Sequence, residues 1–337
     1  MKPIAYAPRR GDRVLWIRFW AFGDVLEAAA DACNFKRRFP DVHLAFMTNP
    51  EYAGLLKLQP YVDEVLPGRK KPLAEWAAAL GAVRAGRYDW LVSDAHKGGR
   101  TALLAWLGRV PRRVGVSTVF PFSWCYNVEP EDWFRGLGLD LSDRSAPSIF
   151  PSSDDAEAGR AALSRLPSPR VLALIGAGNA DKMWPAERWI ELCGALADRG
   201  WSIVLNGHGG LEEAMGRRIE SAVDRGGCLL NLVGRLDFAA MSGVARACDM
   251  ALGNDTGPLH LAALSGVPTM GLFSRSTSLS MGLAMPWFRE LCAEDICGSG
   301  CRLPIKELPS GAVLQAFESF AEEMRQFPLC SSGRTSA

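Results

Sequence analysis

The sequence predicts an α/β protein of two doubly wound parallel sheets, and three observations predict it. Short apolar runs alternate with helical stretches, which is the mark of βα units. The rhythm breaks once, over residues 117–168, which hold five Pro, and then starts afresh. The chain has 337 residues, 48% of them hydrophobic, enough apolar material for two cores at roughly 100–200 residues per domain.

In the first half, Val14–Ile17 reads as a buried strand that stops at Trp20-Ala21-Phe22-Gly23. A helical stretch runs from Asp24 to Arg38 and ends on basic residues, which suit a helix C-terminus. Strands follow at 43–48, 63–66, 88–93 and 112–116, with helices near 72–86 and 99–107. The second series opens at Val171–Ile175 and continues with strands at 201–206, 228–233, 249–252 and 268–273. Its helices fall near 185–198, 211–224, 237–247 and 257–265, and a last amphipathic helix spans 308–326. We expect domains at 1–160 and 168–307, then a C-terminal helix and tail over 308–337. Doubly wound sheets bind ligands at the carboxyl ends of their strands, so two halves facing a cleft would line it with those ends.

Composition narrows the partners. There are 38 Lys+Arg against 37 Asp+Glu, with 23 against 19 in residues 1–165 and 15 against 18 in 166–337. The first half is therefore mildly basic, which favours an anionic partner. No dense Lys/Arg stripe points to nucleic acid. No run of about 18 uncharged apolar residues and no secretory leader is present, so the expectation is a cytoplasmic protein. Nine Cys, an odd number, suit reduced thiols better than a disulfide framework.

Three loops carry chemistry. Gly253-Asn254-Asp255-Thr256-Gly257-Pro258-Leu259-His260 follows the apolar run 250–252 and opens a helix, so the N–H groups of Thr256 and Gly257 would form a phosphate cradle. The alternative is an N-cap by Asp255 followed by a packed His260. Gly176-Ala177-Gly178-Asn179-Ala180-Asp181-Lys182 again links a strand to a helix, and Lys182 is either an exposed loop lysine or a cation for a diphosphate. The segment Arg18 to Asp24 closes the first strand; Asp24 either caps a helix or accepts a proton from a hydroxyl.

Together these segments resemble the lipopolysaccharide heptosyltransferases of glycosyltransferase family 9. The resemblance rests on Gly23-Asp24-Val25, on Asp181-Lys182-x-Trp184-Pro185, and above all on Gly253-Asn254-Asp255-Thr256-Gly257-Pro258-x-His260-Leu261-Ala262-Ala263. Arg87 to Asp94, the Arg112–Gly115 strand and Leu232-Val233-Gly234-Arg235 extend it over about residues 12–273. It implies two Rossmann-like domains facing a cleft, the GT-B type. It also implies inverting, metal-independent transfer of heptose or a related sugar from an ADP-sugar to a lipopolysaccharide inner-core or other surface-glycan acceptor. No bound cofactor is implied, only the nucleotide-sugar donor and a lipid-linked or surface glycan, with peripheral contact at the inner membrane.

Residue by residue, the resemblance implies Asp24 as general base and Lys182 as the cation on the donor diphosphate. Gly178 and Asn179 would touch the phosphates, Glu212 the ribose and Leu236 the adenine. Asp255, Thr256, Gly257 and His260 would form the donor loop. On the acceptor side, Arg18, Lys97 and Arg100 could hold anionic groups and Trp20 could stack on a sugar face. Where the family continues Gly-Pro-Thr-x-Pro after the strand ending at Phe273, this chain reads Ser274-Arg275-Ser276-Thr277-Ser278. Cys292, Cys297 and Cys301 form a cluster whose spacing matches no standard zinc finger, leaving a plain loop, a disulfide or zinc as its readings. The rival functions are a nucleotide-sugar epimerase on the same scaffold and a non-catalytic relative that binds nucleotide-sugar or glycan.

Overall fold

A computed structural model describes residues 7–93, 99–116, 121–140, 143–273, 285–298 and 303–326. The chain forms two compact units, Met1–Asp143 and Arg144–Ala337. Lys97, the 274–278 loop and Cys301 lie outside the described residues.

The first unit is a five-stranded parallel sheet in the order β3-β2-β1-β4-β5. Its strands are β1 (Arg13–Arg18), β2 (His43–Thr48), β3 (Glu64–Pro67), β4 (Trp90–Ser93) and β5 (Arg112–Gly115). Between them run α1 (Phe22–Arg38), α2 (Pro50–Lys57), α3 (Leu73–Gly86) and α4 (Gly99–Leu107). Helix α2 lacks a sequence signal because only eight residues separate the asparagine that precedes it from the next turn, too few to establish a period. The central strand β1 is buried on both faces, with Val14, Leu15 and Trp16 at 0% exposure, which explains why it reads as an unbroken apolar run. Trp16 packs edge-on against Phe35 of α1 and stacks on Phe134 of α5 (Pro130–Gly136). Each such ring contributes about 1.5–3 kcal/mol by leaving water.

The second unit is a six-stranded parallel sheet in the order β11-β10-β9-β6-β7-β8. Its strands are β6 (Arg170–Leu174), β7 (Ser202–Asn206), β8 (Leu229–Asn231), β9 (Met250–Asn254), β10 (Thr269–Leu272) and β11 (Phe288–Leu291). The helices are α6 (Ser153–Ala162), α7 (Ala186–Asp198), α8 (Gly210–Val223), α9 (Phe238–Arg246), α10 (Gly257–Leu264), α11 (Ala293–Cys297) and α12 (Ser310–Arg325). The Pro-rich connection therefore contains α5 and α6, and α6 packs on α9 backbone to backbone. A Cβ on Gly159 would lie 2.4 Å from the carbonyl of Gly243, so only glycine permits this approach. Helix α12 covers α7 and β11, with Phe317 edge-on to Trp201 and Arg289 bonded to Glu323.

Both sheets reverse direction at one place. In the first, the chain builds outward from β1 through β2 to β3, then crosses to β4; in the second it builds from β6 through β7 to β8, then crosses to β9. Connections leave opposite faces there and open a crevice beyond the strand ends. Asp24 follows β1, and the Gly176 and Asp255 loops follow β6 and β9. Among the described residues, no helix is long and apolar enough to cross a membrane.

The cysteines depart in one respect from the expectation of reduced thiols. Cys125, Cys193, Cys228, Cys248 and Cys292 are free thiols, but Cys297 is disulfide-bonded. Cys292 caps α11 together with Asp295, so it serves the helix end. Among the described residues, no group of three His, Cys, Asp or Glu could hold a metal ion.

Candidate functional site

In the first unit, the site gathers at the carboxyl end of β1. Asp24 lies in the first turn of α1 and does not cap it: the N-cap is Ala21, and no side chain supplies a cap bond. Its Oδ1 instead accepts from Arg18 Nη2 at 3.1 Å, with the Arg18 side chain 11% and the Asp24 side chain 40% exposed. Among the described residues, Asp24 Oδ2 has no hydrogen-bond partner. One end of this carboxylate is thus anchored while the other faces water, the arrangement a proton acceptor needs.

A second cation stands beside this pair. Lys70 places its ammonium 3.7 Å from the centre of the Trp20 ring, so one face of Trp20 is taken. Burial, and then the neighbouring Lys71 and Arg18, hold the Lys70 ammonium below its usual pKa, against a smaller opposing pull from Asp24. Arg100 joins the group through its Nη1, which donates to the Lys70 carbonyl at 2.7 Å. The structure therefore brings Arg18, Trp20, Asp24 and Arg100 into one neighbourhood. Lys70 is the member that sequence reasoning missed. Its signal was the run Arg69-Lys70-Lys71 directly after β3, a basic cluster at a strand's carboxyl end.

In the second unit, Lys182 Nζ meets Asp255 Oδ2 at 2.5 Å. Asp255 is no helix cap either; the N-cap of α10 is Thr256, which makes no side-chain cap bond. The Thr256 hydroxyl is buried without a partner among the described residues. Gly257 and Pro258 open α10, and the proline removes a donor that would have been orphaned in any case. The result is a cation, a hydroxyl and a helix N-terminus at one point, which is a setting for an anion.

Asn254 holds the two loops together. It is 0% exposed, and its Nδ2 donates to the carbonyls of Ile175 at 2.9 Å and Gly176 at 3.3 Å. Its Oδ1 accepts from the Trp184 N–H at 3.3 Å. Trp184 is itself fully buried, edge-on to Trp189 and donating from Nε1 to the Leu308 carbonyl at 3.0 Å. Lys182 stands two residues from that anchor, so its reach toward Asp255 is set by packing rather than by the exposed loop.

The other residues expected at a donor site lie in the same unit. Gly178 and Asn179 are exposed, and Asn179 Oδ1 accepts from the Asp181 N–H at 3.0 Å, closing the turn that presents Lys182. Glu212, in the first turn of α8, is 9% exposed and has no hydrogen bond among the described residues. Its side chain lies against Gly176, Gly207 and Gly209; Gly209 has φ +122, and a Cβ there would sit 2.8 Å from Glu212 Oε2. Leu236 is half-buried, whereas His260 is 2% exposed inside α10 and sits below the cradle rather than in the open. Beside Glu212, a cleft of about 430 Å³ is lined by Glu213, Arg217, Asn231, Val233 and Arg235.

Comparison with known proteins bears on the fold. The chain matches the model of glycosyltransferase family 9 (heptosyltransferase) over residues 134–293. It is 25% identical over 291 residues to lipopolysaccharide heptosyltransferase 1 of Pseudomonas aeruginosa, spanning 77% of this chain and 78% of that protein. The glycosyl transferase family 9 structure from Veillonella parvula superposes with a TM-score of 0.80 at 18% identity, covering 94% of this chain and 99% of that one. E. coli heptosyltransferase WaaC, solved with ADP, gives 0.72 at 20% identity over 91% of this chain and 99% of that one. The fold they share is GT-B.

Proposed function

Because the chain matches the glycosyltransferase family 9 model over residues 134–293 and is a glycosyltransferase, we propose that it moves heptose or a related sugar from an ADP-sugar to a surface-glycan acceptor. The acceptor we favour is a lipid-linked lipopolysaccharide inner core, and transfer proceeds with inversion and without a metal. The observation that carries this reading is the Lys182 ammonium held on Asp255 at the mouth of α10, where a helix N-terminus already favours negative charge.

The reaction makes a bond from the acceptor oxygen to the anomeric carbon and breaks the bond from that carbon to the diphosphate oxygen. The hydroxyl proton passes to Asp24 Oδ2, and general-base help of this kind is worth about 10²–10⁴-fold. Arg18 fixes the carboxylate by its other oxygen. The departing ADP gathers negative charge, which Lys182, the N–H groups of Thr256 and Gly257 and the α10 terminus offset. Gly178 and Asn179 approach the phosphates from the facing loop. Asp255, released from Lys182 by the diphosphate, turns to the sugar. Glu212, a nearly buried carboxylate with unused acceptor capacity, suits a ribose diol, and Leu236 offers an apolar face to the adenine. His260 acts from beneath the cradle by packing. Arg18, Arg100 and Lys97 suit anionic groups of the acceptor, and Trp20 keeps its second face for a sugar ring.

The test is a transfer assay with ADP-heptose and an inner-core acceptor, paired with calorimetry of ADP. Asp24→Asn abolishes transfer and leaves ADP affinity within about twofold, whereas Lys182→Ala weakens both. Full turnover by Asp24→Asn would remove it from the role of base. Chelator leaves turnover unchanged, and products formed from donor alone would mark an epimerase instead.

A further inference from the structure

The anion site of the second unit already holds an anion. Asp255 Oδ2 lies 2.5 Å from Lys182 Nζ, directly ahead of Thr256 and Gly257 at the start of α10. Any phosphate that takes both the lysine and the helix N-terminus therefore arrives beside a carboxylate, and like charges that close repel.

The two partners are not equally free to move. Lys182 carries its ammonium on a flexible four-carbon stem that is 48% exposed, whereas the Asp255 side chain is 12% exposed. The backbone is fixed on both sides of Asp255. Asn254 makes its three hydrogen bonds from full burial, and the Thr256 carbonyl accepts from the Leu259 N–H at 3.0 Å and the His260 N–H at 3.3 Å. An arriving phosphate thus draws the lysine away and leaves the carboxylate in place. Among the described residues, Lys182 is the one hydrogen-bond partner of the Asp255 side chain. Without it, a mostly buried carboxylate is left with neither counter-ion nor donor, which is costly.

Ligand chemistry decides whether that cost is met. A free nucleoside diphosphate ends in a phosphate that carries about −1.5 to −2 at pH 7 and offers no donor, so it opposes the bare carboxylate. A glycosyl ester of the same diphosphate lacks that second ionisation and sets hydroxyl groups beside the phosphate, each a donor to the carboxylate. One residue thus favours the sugar ester and disfavours the spent diphosphate. Once the sugar has left with the acceptor, Lys182 returns to Asp255 as the diphosphate departs.

We infer that Asp255 is a specificity residue that selects the glycosyl ester of a nucleoside diphosphate against the free diphosphate, and so speeds product release. The inference deepens the donor site proposed above and rests on it. Calorimetry of the full chain with ADP and with ADP-heptose, without acceptor, tests it. Asp255→Asn keeps the size of the side chain and removes its charge. It tightens ADP about tenfold or more and changes ADP-heptose by less than about threefold, so the preference for the ester collapses. In transfer assays ADP inhibits this variant at correspondingly lower concentration. A second variant guards against a local fault in the first: Lys182→Ala with Asp255→Asn binds ADP more tightly than Lys182→Ala alone. ADP affinity that Asp255→Asn leaves unchanged or weakens would overturn the inference, because the lysine would then bridge carboxylate and phosphate together. Equal tightening of both ligands would overturn it too, since the carboxylate would then repel without discriminating. A wild type that binds neither ligand would defeat the proposed donor and this inference with it. Discrimination as described, with no transfer to an inner-core acceptor, would leave the inference standing and defeat the proposed function instead.

Discussion

Asn254→Ala tests whether the donor half of the site is built by a buried amide. The side chain makes three hydrogen bonds, to the Ile175 and Gly176 carbonyls and from the Trp184 N–H, and it is shielded completely from water. Each such bond is worth about 0.5–1.5 kcal/mol net, and truncation also leaves buried partners unpaired. Because the two longer bonds fall at 3.3 Å, we expect a loss of about 2–4 kcal/mol. In a unit of this size that lowers the thermal midpoint by about 4–16 °C. Function falls with it, because the segment from Asn179 to Trp184 loses its tie to β9 and Lys182 no longer stays on Asp255. Differential scanning calorimetry of the full chain, alone and with ADP, measures both effects. Lys182→Ala is the comparison: its side chain is 48% exposed, so it weakens ADP binding and leaves the midpoint of the free protein nearly unmoved. Asn254→Asp keeps the acceptor for Trp184 and loses the donors, so it falls below the wild type as well. An Asn254→Ala protein with an unchanged midpoint and unchanged ADP affinity would refute the reasoning.

Two further outcomes follow from packing and burial. Gly243→Ala places a Cβ 2.0 Å from the Asp155 carbonyl oxygen and costs about 1–3 kcal/mol or more, read as a shifted urea midpoint; Gly194→Ala in α7, with nothing within 4 Å, is neutral or stabilising by about 0.5–1 kcal/mol. Burial, and then the adjacent Glu64, push the Tyr88 phenol up to about 12 from an ordinary value of 10. The native state therefore keeps this proton longer than the unfolded chain, so the contribution is complete below pH 10 and is lost as pH rises toward 12. Absorbance at the phenolate band shows a late-ionising phase that Tyr88→Phe removes.

The sequence by itself determined the two doubly wound sheets. Their strands are buried on both faces and written as continuous apolar runs such as Val14–Ile17 and Val171–Ile175, and the helices between them carry their own start and stop signals. It also singled out Asp24, Lys182 and the Asp255–Gly257 segment as candidates, because loops at strand ends that open helices have few residue types from which to build an anion site. Tertiary structure decided what those residues do for one another. Asp24 and Asp255 each carry the sequence mark of a helix cap, yet both are bonded to a cation that arrives from elsewhere, Arg18 across the turn and Lys182 across 73 positions. Lys70 over Trp20 and Asn254 beneath the Gly176 and Asp255 loops were invisible for the same reason: the loop after β3 reaches past β2 to the β1 corner, and parallel sheet order, not chain order, makes β6 a neighbour of β9. Period and composition report which face of an element is buried; which distant side chain comes to rest beside it depends on the crossover that brings the strands together.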